Sequence, residues 1–360
     1  MPKGNGHIYA TVVTALGSLE QNSDLMGVAL PLAKQTIALE SDAAPQYFSP
    51  LISLRFGWVP WAGIYALLVQ FPPLLHVLLA LLGNCTILFI VRAEHSLHEP
   101  MYLFLCMLAI IDLILSSFTM PKMIGLFWFD AKEIEFGACL TQMFFIHSLS
   151  AMESTILLAM AFDRYIAICN PLRHSSILTN RMVAKIGLVT LIRGFIFFFP
   201  LPFLLKRLSY CRTNVLSHSF CLHQDMMKLS CIDKTVNIVY GLFIILSVMG
   251  IDSLFIILSY ILIVRSVLSL SSREAGMKAF NTCISHICAV LMFYIPLIGL
   301  SVIHRFGTRS TSRTHIIMAD IYLLVPPVLN PIVYGIKTKQ IRNRIMKMFH
   351  QNALRSDLCN

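Results

Sequence analysis

Between Phe56 and Val91 the chain carries no Lys, Arg, Asp or Glu, a run longer than the roughly 20 apolar residues that cross a bilayer. A charge-free stretch of that length admits few folds. Inside lipid every backbone N–H and C=O must be bonded within the protein, so the segment is read as a membrane helix. Pro72 and Pro73 split the run and set the span proper at residues 73–91, with Arg92 as anchor and Trp58 and Trp61 at the interface. Six further runs follow at residues 101–120, 138–168, 186–205, 235–264, 279–303 and 315–336. Pro100 opens the second and Pro121 is expected to close it. Only 13% of the 360 residues are charged, about half the fraction usual in a soluble domain. The expected fold is an all-α integral membrane protein, a seven-transmembrane helix bundle. No inverted internal repeat of the transporter kind is visible.

Residues 1–60 are mixed in composition and read as a poorly ordered N-terminal segment, residues 61–336 as the helical domain and 337–360 as a tail. Lys3 followed by Ile8–Leu16 is too short and too rich in threonine for a cleaved secretory signal. In the tail, Ile341, Ile345, Met348 and Phe349 share one helical stripe against Lys339, Arg342, Arg344 and Lys347. That pattern predicts a short amphipathic helix whose partner is membrane lipid on an anionic, cytoplasmic leaflet. The formal charge of +10 does not argue for nucleic acid, because the basic residues lie in short segments between apolar blocks, without interleaved aromatics.

Charge alone orients the bundle weakly. The C-terminal side carries 14 Lys and Arg and the other side 13, or 11 without the remote Lys3 and Lys34, a small vote for a cytoplasmic C-terminus. Cysteines vote more clearly. Cys139, Cys211, Cys221 and Cys231 fall on one face of the membrane, and two disulfides follow if that face is oxidising, hence extracellular or lumenal. Four cysteines allow three connectivities.

Polar residues inside apolar runs are the candidates for function. Asp163, Arg164 and Tyr165 close the third run, either as a snorkelling anchor or as a releasable lock in which Arg164 exchanges Asp163 for a cytoplasmic partner. Asp112 and Glu153 lie deep in the second and third runs, where an ionised acid faces the bundle interior. If they meet, they share a proton or hold a cation; otherwise they are two separate protonated acids. Asp252 and Arg193 are further intramembrane charges to which no partner is assigned. Asn330, Pro331 and Tyr334, with Pro326 and Pro327 before them, make a kinked hinge in the seventh run. Cys283 and His286 have metal-like spacing but no second pair, so no metal site is read. Ser285 beside His286 cannot form a nucleophile–base pair, since neighbours on a helix face apart. No phosphate-cradling glycine loop or His-Glu-x-x-His is present, and no enzyme is expected.

With these pieces placed, the chain resembles the class A G-protein-coupled receptors, and within them the olfactory receptors. The resemblance rests on Gly83-Asn84, Leu97-His98-Glu99-Pro100-Met101-Tyr102, the stretch from Met160 to Leu172 containing Asp163-Arg164-Tyr165, Ser259-Tyr260, Lys278 to His286, and Pro327 to Tyr334. It covers residues 71–349. Cys221-Leu222-His223-Gln224-Asp225 and the segment from Gly299 to Phe306 are similar to the class I (fish-like) subgroup. That resemblance implies polar, often carboxylic, odorants held by Arg305, Ser301, His147, His223 and Gln224. It also implies disulfides Cys139–Cys221 and Cys211–Cys231, and an internal sodium or proton site at Asp112 and Glu153. Coupling to the stimulatory olfactory G protein, raising cyclic AMP, and residence in the plasma membrane with an extracellular N-terminus follow from the same resemblance. A guanidinium suits a carboxylate by its bidentate geometry.

The N-terminal region departs from the family pattern: Asn5-Gly6-His7 and Asn22-Ser23-Asp24 are not glycosylation acceptors, and Asn84-Cys85-Thr86 lies inside the first span. Two rival readings therefore stand beside the receptor: a transporter or channel using Asp112, Glu153 and Asp252, and a non-functional receptor copy with an aberrant N-terminus.

Overall fold

Among the described residues seven helices are long and apolar enough to cross a membrane: Leu75–Ala93, Pro100–Leu126, Phe136–Cys169, Asn180–Lys206, Thr235–Leu268, Cys283–Ser301 and Met318–Lys337. They are called here the first to the seventh span. The structure, a computed structural model, describes residues 53–56, 72–211, 214–216, 218–269, 273–306, 312–338 and 340–347. Most of the expected N-terminal segment 1–60 and the tail beyond residue 347, with Met348 and Phe349, lie outside the described residues.

Local chemistry sets the helix ends. Pro100 stands at the start of the second helix, where its missing N–H costs nothing, and Thr179 caps the fourth by accepting from the Met182 N–H at 3.3 Å. Asp130 ends the second helix in the left-handed conformation, φ 51°. The expectation that Pro121 closes the second span is corrected. The helix runs on to Phe129 with Pro121 inside it, because a proline forfeits one backbone bond without forbidding continuation where neighbouring helices support the turn. The end beyond it is tied by Lys122, whose ammonium donates to the carbonyls of Ala131 at 2.6 Å and Glu133 at 2.5 Å.

The third span is the axis of the bundle, packed against the second, fourth, fifth and sixth, and 78% of its apolar window is buried against 22% for the fifth. The first and seventh spans close on each other through Gly83, where a Cβ would sit 2.7 Å from the Pro331 ring. Asn84 beside it donates to the carbonyls of Ala80 and Pro327, each at 2.9 Å. The fifth span is interrupted by a π-helical turn, Ile245–Gly250. Residues 340–347 form the short helix expected after the seventh span, with Ile341 fully buried and Arg342 and Lys347 exposed. An ion pair between Arg344 and Glu94 ties it to the first span's end.

Two disulfides staple the loops of one face: Cys139–Cys221, with Cα atoms 5.5 Å apart, and Cys211–Cys231, 5.8 Å apart. The same face carries a small sheet unforeseen from composition. Strand β1 (Leu54–Phe56) runs antiparallel to β2 (Glu133–Ile134) and parallel to β3 (Val215–Leu216), with Arg55 opposite Glu133 and Val215. Leu54 and Phe56 are buried while Arg55 faces out and pairs with Glu133 at 2.8 Å. That three-residue alternation is too short to register as a period in a segment of mixed composition.

Candidate functional site

A cavity of about 310 Å³ opens among the third to seventh spans beneath the stapled loop. The Cys139–Cys221 bridge fixes the loop against the third span, and Gln142 adds to it by accepting from the Cys221 N–H at 3.1 Å. Two residues on, the loop helix His223–Lys228 begins, so His223 and Gln224 meet the cavity. From the fifth span come Asn237, Ile238, Gly241, Leu242 and Ile245, with Lys234 just before its start, a stripe of one helix face at spacings of three and four. Ser301, Leu297 and Leu300 enter from the sixth span and Tyr322 from the seventh.

Four of the five residues expected to hold ligand, His147, His223, Gln224 and Ser301, line this one cavity. Arg305 lies in the last turn of the sixth helix, Arg273–Phe306, and its side chain falls outside the described residues. Sequence reasoning missed Lys228, Lys234, Asn237 and Tyr322. The helical stripe Lys234, Asn237, Gly241 was the available signal for two of them.

The cavity wall is polar in an unsatisfied way. His147 Nε2, His223 Nε2, Gln224 Oε1 and Asn237 Oδ1 are buried without a hydrogen-bond partner, and the His147 ring stacks on Phe198 at 6.0 Å. Burial outweighs the neighbouring Asn237 amide, which favours the protonated ring, and holds the His223 imidazole down at about 4, so it is neutral at pH 7. Just behind it, burial works to raise the Asp225 carboxyl, but the bonds from His218 and Lys228 outweigh it and hold the group at about 2. Asp225 thus takes the charge of Lys228, 3.0 Å away. Among the described residues lining the cavity there are two lysines and no carboxylate.

One layer deeper, the unassigned charges find each other. Arg193 Nη1 donates to both Asp252 oxygens at 2.7 and 2.9 Å and to Thr155 Oγ1 at 2.8 Å. Its Nη2 donates to the carbonyls of Ser247 and Val248, both within the π-helical turn. Ser154 donates to Asp252 at 2.8 Å and meets the Tyr294 hydroxyl at 2.8 Å, so spans three to six share one network. Below it Asn330 Nδ2 donates to Asp112 Oδ2 at 3.1 Å and to Glu153 Oε1 at 3.4 Å. The two acids therefore meet at one amide, and Asp112 Oδ1 is buried without a partner. The Tyr334 hydroxyl reaches Met160 Sδ at 3.9 Å.

At the far end Asp163 is fully buried. It accepts from Arg164 Nε at 2.9 Å and from His174 Nε2 at 2.9 Å, with Tyr165 half-buried beside it. A solvated anchor pair would leave its carboxylate in water. His286, weighed above for metal and catalysis, has both ring nitrogens engaged: Nδ1 with the Tyr260 hydroxyl at 2.6 Å, Nε2 with the Leu157 carbonyl at 2.9 Å.

Comparison with known proteins agrees with this geometry. The family model described as olfactory receptor matches residues 74–352. Olfactory receptor 51D1 of Homo sapiens is 62% identical over 322 residues, covering 86% of this chain and 99% of its own. Olfactory receptor 51E2 is 63% identical in Mus musculus over 279 residues (78% of this chain, 87% of its own) and in Homo sapiens over 281 residues (78% and 88%). These relatives set the transporter, channel and enzyme readings aside. A seven-span bundle, a loop-covered polar cavity and this match over most of the chain make it a multi-pass member of the class I olfactory receptors, a family of G-protein-coupled receptors.

Proposed function

We propose that this receptor detects small carboxylate-bearing or polar odorants and activates a stimulatory, olfactory-type G protein that raises cyclic AMP. It acts in the plasma membrane, with the disulfide-stapled face and the N-terminus outside. The observation that carries the reading is the cavity wall: two lysines, no carboxylate among its described residues, and four buried polar atoms awaiting a partner. Unmade bonds of this kind are costly when buried, and a polar ligand recovers them. Arg305 supplies the bidentate clamp, one turn beyond Ser301, and His147, His223 and Gln224 are supporting groups.

Signalling needs the ligand to bind the active arrangement more tightly than the resting one. The path runs through the hinge at Asn330, Pro331 and Tyr334 to Asp163, Arg164 and Tyr165, where the G protein docks. A sodium ion or shared proton fits between Asp112 and Glu153, because the buried Asp112 Oδ1 lacks a partner and hard cations favour carboxylate oxygens. When bound it would neutralise these acids and hold the second, third and seventh spans together.

A panel of short and medium carboxylic acids on cells carrying a cyclic AMP reporter is expected to contain an activator. Arg305→Ala at matched surface level is expected to weaken it about 30-fold, the ~2 kcal/mol of a charge-assisted bond. Equal potency on the variant refutes the clamp. Surface staining of the full chain tests the rival of a non-functional copy.

A further inference from the structure

The cavity holds a cation to which the reading above assigns no ligand group of its own. Lys234 is the N-cap residue of the fifth span, immediately before Thr235, and its half-buried side chain lines the cavity. The position does not suit a lysine for the helix's own sake. That end of a helix is already positive, and the residues preferred there accept hydrogen bonds, which an ammonium cannot. Lys234 makes no capping bond.

Among the described residues its charge meets no carboxylate. The Lys234 ammonium meets the Met227 carbonyl at 3.4 Å. Asp233, next in sequence, is turned to Thr235, accepting from its N–H at 2.9 Å and its hydroxyl at 2.6 Å. Lys228, the other cation of the wall, has Asp225 at 3.0 Å. Of the two lysines, then, one faces a carboxylate and the other a carbonyl.

Lys234 also has company of the right kind. One helical turn on, Asn237 is 3% exposed, and its amide lies beside the His223 ring without a hydrogen bond of full geometry at Oδ1. Gln224 Oε1, on the same wall, has none either. A terminal amide reverses by turning about its last bond, so each can offer its NH2 to an anion. Among the described residues, an ammonium facing only a carbonyl, two amides whose oxygens make no full hydrogen bond and a wall without a carboxylate favour a negatively charged group.

We infer that Lys234, with Asn237 and Gln224, forms a second anion-holding subsite, so that the preferred ligands are short dicarboxylates with one end on Lys234 and the other on the sixth span. This rests on the proposed carboxylate clamp at Arg305 and Ser301. A cavity of about 310 Å³ is at the small end of ligand pockets, which suits a short chain with two charged ends.

The test uses the full-length receptor at matched surface level with a cyclic AMP reporter. Straight-chain monocarboxylates are compared with dicarboxylates and ω-hydroxy acids of equal length, on the wild type, Lys234→Gln, Lys234→Arg and Arg305→Ala. On the wild type the dicarboxylate is expected to act at about tenfold lower concentration than its ω-hydroxy counterpart, a factor worth about 1.4 kcal/mol. Lys234→Gln is expected to remove that advantage and leave monocarboxylates within about twofold, Lys234→Arg to retain it, and Arg305→Ala to weaken both series. A general folding defect would move both series together and would not reproduce this split. The subsite is refuted if the wild type shows no dicarboxylate advantage, or if Lys234→Gln leaves that advantage intact or shifts both series equally. If Arg305→Ala weakens monocarboxylates in those cases, the primary clamp stands alone; if no carboxylate activates a surface-expressed receptor, both readings fall.

Discussion

The two ends of the bundle treat buried polar atoms in opposite ways. At the cavity, His147, His223, Gln224 and Asn237 each keep an atom without a hydrogen-bond partner. At the other end the fully buried Asp163 carboxylate is bonded by both Arg164 and His174. An unmade bond in the interior costs ~1–3 kcal/mol, so the first end gains by taking a ligand, while the second is a closed arrangement that something must open. Between them the Arg193–Asp252 network is satisfied from four spans, a fixed layer against which the ends can differ.

The largest way to break this contrast is to break its middle. Asp252→Ala leaves the Arg193 guanidinium in the bundle without its carboxylate, an expected loss of about 3–5 kcal/mol. Surface staining should fall to near background, and recover in part when Arg193→Met is added. Wild-type surface levels for Asp252→Ala would mean that the layer is not a support.

Next in size is acid sensitivity of the cavity. His223 is held at about 4 when folded, below the ordinary 6.5, so the unfolded chain binds the extra proton first. Stability is therefore retained above about pH 6.5 and falls on acidification by up to ~1.4 kcal/mol per pH unit, until the folded group also titrates near pH 4. Asp225, held at about 2, keeps its charge through this window. Thermal unfolding of detergent-solubilised receptor should show the slope, and His223→Gln should flatten it.

At the opposite end, His174→Ala removes one donor from Asp163, an expected ~1.5 kcal/mol, or roughly tenfold in the balance between closed and open arrangements. The readout is ligand-free cyclic AMP, which should rise; no rise would argue that the Asp163 cluster is an anchor after all. Smallest in stability is Asn237→Leu. Replacing an unsatisfied buried amide by an apolar group should move stability by no more than about 0.5 kcal/mol, while agonist potency falls. A large stability loss there would show that Asn237 serves the fold instead of the ligand.

How much of this was legible in the sequence varies by the reach of the interaction. The spans follow from long apolar runs poor in charge, and the short helix at residues 340–347 from a stripe of Ile341 and Ile345. Both signals are local. Asp112 and Glu153 were marked as candidates because an acid in lipid is costly wherever it sits. Which groups relieve that cost was hidden. Arg193 and Asp252 lie 59 residues apart, and His174 approaches Asp163 only after the chain turns at Pro171–Arg173. Lys234 and Asn237 shared a readable helix face, but the cavity that makes the face matter is assembled from five spans and a loop.

By itself, then, the sequence determined the membrane as solvent, the number of crossings and the buried acids, because lipid tolerates neither open backbone nor unpaired charge along any single segment. It could not say which span is central. The third, less apolar than the fifth, is 78% buried against 22%, since in lipid an apolar helix gains nothing by turning inward and the polar one must. Ion partners, cavity and closed end were decided by tertiary structure alone, because each depends on atoms that only packing brings within hydrogen-bond reach.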